Sequence, residues 1–287
     1  NQQEAIDFSI KKIMEEDKRF VIVEAGTGVG KSAVGLTVAR YLDQLIHDEN
    51  SSYGKGAYFL TTQKILQEQY IKDFGRFGGK MRSIKSSSNY QCRFMKKNTC
   101  AESLRALKTE DKSSNFFKSC AFKCNYKKAK EEFLESTESV TNFPYFLAET
   151  TYSGKITPRN VMIIDEAHNV AEELSKFIEV SVSNRFSSKV LKLDIPELNS
   201  QTKAYKWVSE IYSKKLFSHA KHVESMLEKY AGLKDKLNEF SSLAKQFELL
   251  DKHACKLRRF LELYDKDNWV YNPINLEDGS RKIEFKP

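Results

Sequence analysis

VIVEAGTGVGKS, residues 21–32, places three apolar β-branched residues before a glycine-rich turn that ends in Lys31 and Ser32. This order predicts a short strand, a tight turn and a helix that begins at Lys31. Glycines let the chain curl until several backbone N–H groups face one anion, and the helix dipole adds positive potential there. The segment therefore predicts a phosphate-binding loop. Its binding residues are Ala25, Gly26, Thr27, Gly28, Val29, Gly30, Lys31 and Ser32.

A second segment, VMIIDEAH (residues 161–168), places Asp165 and Glu166 directly after an apolar run. The carboxyl ends of parallel strands deliver catalytic groups, so this run predicts a strand that supplies the acidic residues. In the resulting site the ammonium group of Lys31 reaches the β- and γ-phosphates of ATP, while Ser32 and Asp165 hold Mg²⁺. Glu166 orients and polarises the attacking water. The two segments together predict a nucleotide-driven motor.

Two further residues are assigned to this predicted site. His168 is expected to couple hydrolysis to the motion that the protein drives. Gln2 precedes an amphipathic helical pattern and is a candidate for hydrogen bonding to the adenine edge, with an exposed glutamine at a helix start as the alternative. For the loop itself, the alternative is a glycine-rich turn that binds no ligand, and the acidic segment argues against it.

Length and composition indicate a globular protein. The 287 residues allow about two domains. Apolar residues make up 40% and charged residues 30% of the chain, and every apolar run is far shorter than the roughly 20 residues of a membrane span. No signal-peptide pattern opens the sequence, so an intracellular protein without a membrane partner is expected.

The positive charge is concentrated in one segment. The net charge is +8, and residues 76–130 hold 15 Lys and Arg against three acidic residues. Such a segment favours a polyphosphate backbone through counterion release, with a solvated basic loop as the alternative. Aromatic residues interleave with the cations, as in proteins that bind single-stranded nucleic acid, although some of the rings are expected in the core. They are Tyr90, Phe94, Phe116, Phe117, Phe122 and Tyr126.

Four of the five cysteines lie in this basic segment: Cys92, Cys100, Cys120 and Cys124. Structural disulfides are disfavoured in an intracellular protein, and four free buried cysteines would be a coincidence. A four-thiolate site remains, either tetrahedral Zn²⁺ or an iron–sulfur cluster. The short spacing between Cys120 and Cys124 suits zinc, whereas the wider spacing between Cys92 and Cys100 does not. The spacing therefore favours the cluster only mildly.

The sequence resembles the iron–sulfur DNA helicases of superfamily two, the XPD and DinG group. Six segments carry the resemblance and occur in the order typical of that family. Three resemble its motor motifs: EAGTGVGKS (24–32), TTQKILQEQ (61–69) and DEAHN (165–169). Three resemble its cluster domain and the stretch that follows: SNYQC (88–92), CAFKCNY (120–126) and TNFPYFL (141–147).

The resemblance implies an ATP-dependent DNA helicase that couples hydrolysis to 5′ to 3′ translocation on single-stranded DNA and unwinds forked duplex DNA. It implies the cofactors ATP, Mg²⁺ and a [4Fe–4S] cluster ligated by Cys92, Cys100, Cys120 and Cys124. The implied fold is α/β: a RecA-like P-loop domain with a parallel sheet, an inserted four-cysteine iron–sulfur domain and an inserted helical arch. The arch is a candidate surface for protein partners, and DNA repair is one candidate process.

The expected domain boundaries follow from these motifs. Residues 1–80 and 141–185 form the two parts of the first RecA-like domain, 81–140 the iron–sulfur domain, and 186–268 the arch, in which apolar residues recur every three or four positions. Residues 269–287 are expected to return toward a second motor domain that the chain does not contain. Without that domain, groups that stabilise the transferring phosphate are missing, and the chain alone should hydrolyse ATP slowly.

Two alternatives from other functional classes remain open. One is an ATP-binding module that holds single-stranded nucleic acid without unwinding it. The other is a DEAH-type RNA helicase with a structural zinc. Competition between RNA and DNA at a stated salt concentration separates the RNA helicase from the DNA helicase.

Overall fold

The computed structural model describes residues 1–45, 52–76, 81–107, 110–230, 236–276 and 279–287. In this described part, the chain forms two compact units. The first comprises residues 1–103 and 115–170, and the second comprises residues 104–114 and 171–287. The boundaries of the five segments expected from the sequence, from residues 1–80 to residues 269–287, stay predictions.

The first unit contains a parallel four-stranded sheet. Its strands are β1 (Gly54–Thr61), β2 (Met81–Ser83), β3 (Glu138–Asn142) and β4 (Arg159–Ile164), in the order β2-β3-β1-β4. Strand β1 is central, with Ala57 opposite Glu138 of β3 on one side and Val161 of β4 on the other. The α/β class and the parallel sheet predicted from the sequence are confirmed.

Helices accompany this sheet. They are α1 (Gln2–Met14), α2 (Lys31–Leu45), α3 (Lys64–Phe74), α4 (Cys100–Leu107), which continues into the second unit, α5 (Asn115–Lys123), α6 (Asn125–Glu135) and α7 (Phe143–Ala148). Side chains of β1 alternate between two apolar clusters: Ala57 and Phe59 belong to one, and Tyr58 and Leu60 to the other. Both faces of the central strand are therefore buried.

Helix α2 packs closely on the last strand of the sheet. A Cβ atom at Gly35 of α2 would come within 2.9 Å of the Ile163 side chain on β4, so the absence of a side chain at this position permits the approach. Close packing brings the first turn of α2 beside the carboxyl end of β4. The two segments singled out in the sequence are neighbours for this reason.

The strand predicted for residues 21–23 does not form. Residues 20–26 have no regular secondary structure, and the side chains of Phe20 and Ile22 are 79% and 83% exposed. A strand needs a neighbour for its backbone N–H and C=O groups, and the outer edge of β4 pairs with no strand in the described ranges. The strand prediction was wrong here, because pairing depends on a partner that the local sequence does not reveal.

The second unit combines helices with a small antiparallel sheet. Its elements are α8 (Val170–Ile178), which begins at the end of the first unit, β5 (Val180–Ser183), α9 (Asn184–Leu191), α10 (Gln201–Trp207), α11 (Ser213–Tyr230), α12 (Leu237–Leu263), β6 (Val270–Asn275) and β7 (Arg281–Lys286). The strand order is β5-β7-β6. The helical periodicity of the predicted arch segment corresponds to α10, α11 and α12, whereas an inserted arch domain stays a prediction.

The core of this unit is rich in aromatic side chains. Tyr212 and Phe260 are fully buried, and both tryptophans of the chain, Trp207 and Trp269, lie in the same apolar cluster. A π-helical turn, Val208–Tyr212, joins α10 to α11. None of the helices in the described part of the chain combines the length and the apolar character that crossing a bilayer requires.

Candidate nucleotide site and cysteine pocket

The predicted phosphate-binding loop precedes α2 as an irregular turn. Gly28 and Gly30 have positive φ angles of 79° and 82°, which glycine adopts at little cost. The carbonyl oxygen of Gly30 accepts hydrogen bonds from the N–H groups of Ala33 and Val34 and so opens the helix. The expected turn from loop to helix at Lys31 is present.

The side chain of Lys31 points back over this loop. Its Nζ atom donates a hydrogen bond to the carbonyl oxygen of Ala25 at 3.2 Å and lies 3.9 Å from Oε1 of Glu166. Oε2 of Glu166 lies 3.4 Å from Nδ1 of His168, which is itself largely exposed. The structure thus brings three of the predicted catalytic residues together.

Asp165 follows β4 and is held by its surroundings. Its N–H group donates to the carbonyl oxygen of Leu60 on β1, while its Oδ1 atom accepts from the N–H group of Glu166 at 3.0 Å. Oδ2 lies 3.4 Å from the hydroxyl of Tyr70 on α3. These contacts fix the Asp165 carboxylate at the carboxyl end of β4. Its role as a magnesium ligand stays a prediction.

Tyr70 was not identified from the sequence. Burial, and after it the nearby charge of Asp165, raise the pKa of the Tyr70 phenol well above its ordinary value. The nearby hydroxyl of Ser32, the other predicted magnesium ligand, partly opposes this rise in the pKa of Tyr70. A tyrosine in an amphipathic helix predicts only core packing, so no local signal distinguished this residue.

A cavity of about 140 Å³ opens beside these groups. It is lined by Gly30, Ser32, Ala33, Leu66, Gln69, Tyr70, Asp73, Phe74 and Asp165. Hydroxyl and carboxylate oxygens are the ligands that Mg²⁺ prefers, and the ion keeps several water molecules when bound. Ser32 and Asp165 face the same cavity and are neutral and anionic oxygen donors, so this donor set fits Mg²⁺.

Gln2 contacts the loop through its side chain. Its Nε2 atom donates a hydrogen bond to the carbonyl oxygen of Val29 at 2.8 Å. A Cβ atom at Gly30 would approach the same Nε2 atom to 2.4 Å, so Gly30 leaves room for this contact. Asn1 caps the helix that carries Gln2. Gln2 therefore sits against the phosphate-binding loop, and contact with adenine stays a prediction.

The four cysteines of the basic segment converge. A short antiparallel bridge between Gln91 and Thr99 turns the chain back, so that the N–H group of Cys100 donates to the carbonyl oxygen of Tyr90. Sγ of Cys100 lies 3.9 Å from Sγ of Cys124, which directly precedes α6. All five cysteines of the chain are free thiols, so the disulfide alternative has no support here.

The electrostatics of Cys100 and Cys120 reflect the nearby thiols. Burial, and after it the thiols of Cys124, Cys120 and Cys92, raise the pKa of Cys100 to about 12. The pKa of Cys120 is also raised, first by burial and then partly by Cys124 and Cys92. Buried thiols beside further thiols suit a cationic ligand that accepts thiolates.

Proximity does not amount to a formed coordination site. Within the described ranges, no group of three or more His, Cys, Asp or Glu side chains is arranged to hold a metal ion. Sγ of Cys92 accepts a hydrogen bond from the N–H group of Met95 at 3.3 Å. The donor set, four thiols from one short segment, fits a four-thiolate group, whereas the ligating geometry is not shown.

The aromatic residues of the basic segment divide into core and surface. Tyr90 and Tyr126 pack against the core of the first unit, with ring centroids 5.5 Å apart. Phe116 is buried and stacks on Phe94, which is half exposed. Phe122 is 85% exposed at the end of α5. The cations that interleave with these rings in the sequence are exposed: Arg93, Lys96, Lys97, Lys118, Lys123 and Lys127.

Fold and site together define a P-loop α/β protein with paired acidic residues at the end of a parallel strand. Residues 1–194 match the family described as "Type III restriction enzyme, res subunit". The chain belongs to this family, whose domain is of the superfamily-two helicase type. No curated protein matches the chain. The family supports a helicase or ATPase activity in general, with ATP and Mg²⁺ as plausible cofactors.

Proposed function

We propose that the chain acts as an ATP-dependent DNA helicase of the iron–sulfur type, moving 5′ to 3′ on single-stranded DNA and unwinding forked duplexes. The observation that carries the ATPase part is the convergence of Lys31 and Ser32 with Asp165 and Glu166 at the end of β4. The family supports the motor class, and the resemblance of the cysteine segment supports the iron–sulfur type.

The contacts of Lys31 suggest the order of events at the site. In the structure its ammonium group lies between the carbonyl oxygen of Ala25 and the carboxylate of Glu166. A triphosphate competes for Lys31, so Glu166 is released to accept a hydrogen bond from water. As the oxygen of that water attacks the γ-phosphorus, its proton passes to Glu166 and then to solvent, the bond to the β–γ bridging oxygen breaks, and ADP and phosphate leave. Ser32 and Asp165 would hold Mg²⁺, which would neutralise charge on the phosphate oxygens.

The ATPase proposal is tested by turnover in the presence of single-stranded DNA. Glu166→Gln keeps the size of the side chain but not its charge, and we expect ATP turnover to fall by at least about 100-fold. Lys31→Ala should weaken nucleotide binding as well. Glu172→Gln, which removes an exposed carboxylate paired with Lys176 on α8, is the control and should leave turnover unchanged. Undiminished turnover in Glu166→Gln would rule out the assigned site.

The cysteine pocket is proposed to hold a [4Fe–4S] cluster through Cys92, Cys100, Cys120 and Cys124. When bound, such a cluster cross-links four points of a short segment and so makes it rigid. The segment can then present its cations and exposed rings in a fixed arrangement. Support comes from the mutual proximity of the four thiols and from the resemblance of the flanking motifs.

Anaerobic purification followed by an absorption spectrum and an iron assay tests the cluster. We expect visible absorption and about four iron atoms per chain, the stoichiometry of a four-iron cluster. Cys120→Ser should remove both signals, whereas Cys255→Ser, in the second unit, should retain them. Zinc in place of iron would contradict the cluster and favour the structural-zinc alternative.

The exposed part of the basic segment is proposed to bind single-stranded DNA. Among the rings of the segment that the structure describes, Phe122 is the most exposed, and it is adjacent to Lys123. Base stacking on such a ring contributes roughly 1–3 kcal/mol, so Phe122→Ala should weaken binding about tenfold or more. Phe20→Ala is a matched control, because Phe20 is similarly exposed beside Arg19 but lies outside the segment.

Binding is measured by fluorescence anisotropy with labelled single-stranded DNA at several salt concentrations. The affinity should fall steeply with salt because the cations release counterions. An RNA competitor that binds as tightly as DNA would favour the RNA helicase, and equal losses in Phe122→Ala and Phe20→Ala would contradict the proposed surface.

A further inference from the structure

Tyr70 occupies a fixed position behind the metal site. It lies on α3, and its side chain is only 2% exposed. The ring packs between Phe59 of β1 and Phe74 of α3, with centroid distances of 5.7 Å and 5.8 Å. An aromatic ring held on two sides has little rotational freedom, so the position of its hydroxyl group is determined by the core.

That hydroxyl contacts one predicted magnesium ligand and lies near the other. It lies 3.4 Å from Oδ2 of Asp165, and Ser32 lines the same cavity as Tyr70. A carboxylate can only accept hydrogen bonds, so the phenol donates its single proton to Asp165. The phenol is therefore a donor to the carboxylate and takes no proton from it.

The carboxylate of Asp165 is oriented by two donors as a result. Oδ1 accepts from the N–H group of Glu166 at 3.0 Å, and Oδ2 accepts from Tyr70. Each carboxylate oxygen retains a further lone-pair direction for a cation or its water. Ser32, Tyr70 and Asp165 all line the same cavity of about 140 Å³.

We infer that Tyr70 is a positioning residue of the Mg²⁺ site, which orients Asp165 through its hydroxyl group beside Ser32 and does not itself ligate the ion. The inference rests on the proposed ATPase function. It follows the general pattern that groups hydrogen-bonded to metal ligands fix ligand orientation and tune metal affinity. The Tyr70 ring packs in the core of the sheet, and its hydroxyl group contacts a predicted metal ligand.

The test is Tyr70→Phe, which retains the ring and removes only the hydroxyl. Mn²⁺ serves as the probe, and its affinity is measured by electron paramagnetic resonance with a non-hydrolysable ATP analogue bound. We expect the affinity for Mn²⁺ to fall about tenfold, the lower end of the usual effect of removing such a partner. The affinity for the same analogue in EDTA should be unchanged, because the phosphate-binding loop is intact.

Tyr58→Phe is the matched control. Tyr58 is as buried as Tyr70 and lies on β1 of the same sheet, but its hydroxyl donates to the carbonyl oxygen of Thr157, outside the nucleotide site. It should cost comparable stability and leave the affinity for Mn²⁺ unchanged. Thermal unfolding of both variants verifies that they are folded.

The outcomes separate the inference from the proposed function. Unchanged Mn²⁺ affinity in Tyr70→Phe, with a wild-type protein that binds Mn²⁺ and nucleotide, would overturn the inference alone. Loss of analogue binding in EDTA would also overturn it, since the effect would then lie in the loop. A wild-type protein that binds no nucleotide would refute the proposed function and the inference with it.

Discussion

At Glu166 the backbone adopts a left-handed conformation, with φ of 55°, in the residue that is proposed to orient the attacking water. Residues other than glycine rarely adopt this conformation, and those that do cluster at functional sites. The turn directs the side chain away from the line of β4 and toward Lys31 and His168. Local strain at Glu166 is therefore consistent with a catalytic position.

Replacing Glu166 by glycine should separate stability from activity. Glu166→Gly relieves the left-handed strain, and we expect the free energy of unfolding to rise by up to about 1 kcal/mol while ATP turnover is lost. Lys192→Gly is the control, because Lys192 has a similar φ of 54° at the end of α9, outside the nucleotide site. It should stabilise the protein similarly and retain turnover. Urea unfolding measures the free energy of unfolding, and ATPase assays measure turnover. A lower free energy of unfolding in Glu166→Gly than in the wild type would contradict the proposal that the backbone is strained at this residue.

At the scale of the elements, β1 depends on a glycine at its irregular start. Gly56 has φ of 90°, and a Cβ atom there would lie 2.0 Å from the carbonyl oxygen of Thr137, a backbone atom that cannot move aside easily. The register of β1 with β4 shifts between Gly54 and Ala57. The side chain of Asp43 accepts a hydrogen bond from the Gly56 N–H group at 2.5 Å and fixes this irregularity.

We predict that Gly56→Ala lowers the free energy of unfolding by about 3 kcal/mol, because backbone strain and a steric clash add together. Gly154→Ala is the matched control. Gly154 also has a positive φ, 60°, but a Cβ atom there meets nothing within 4 Å, so only the conformational cost of about 1 kcal/mol remains. Chemical denaturation followed by circular dichroism gives both values. Equal losses of unfolding free energy in the two variants would contradict the prediction, because the chain would then have relieved the clash with Thr137.

The sequence was sufficient for those elements whose determinants are local. The glycine turn, the helix start at Lys31 and the acidic residues after β4 follow from short patterns, and the structure has all three. The strand predicted at residues 21–23 failed because pairing requires a neighbour at the edge of β4. The contact of Tyr70 with Asp165 depends on how α3 and β4 pack, which no local pattern encodes.

At the scale of the whole molecule, a buried histidine makes the stability of the second unit depend on pH. His253 on α12 lies with its Nε2 atom 2.7 Å from the hydroxyl of the fully buried Tyr212. Burial, and then the charge of Lys256, lower the pKa of His253 to about 4 from an ordinary value of 6.5. The folded unit therefore contains a neutral imidazole where the unfolded chain would be protonated in mild acid.

This difference predicts a pH-dependent stability of the second unit. The unfolded state binds the extra proton below pH 6.5, so the contribution of His253 is complete above that pH and is lost as the pH falls toward 4, by up to about 3 kcal/mol. Both tryptophans, Trp207 and Trp269, lie in the second unit, so tryptophan fluorescence during urea unfolding reports on this unit. His253→Gln should flatten the dependence between pH 6.5 and 4. An unchanged slope would contradict the assignment.

The strand order of the first sheet also constrains how the protein can be made. Strand β1 pairs only with β3 and β4, both of which follow the cysteine segment in the chain. On the ribosome, the thiols of that segment therefore emerge before the sheet can close and while the glycine loop still lacks its acidic partners. Any ligand of these thiols can therefore be bound before the ATP pocket assembles, so occupancy of the cysteine segment can influence the folding of the motor sheet during synthesis.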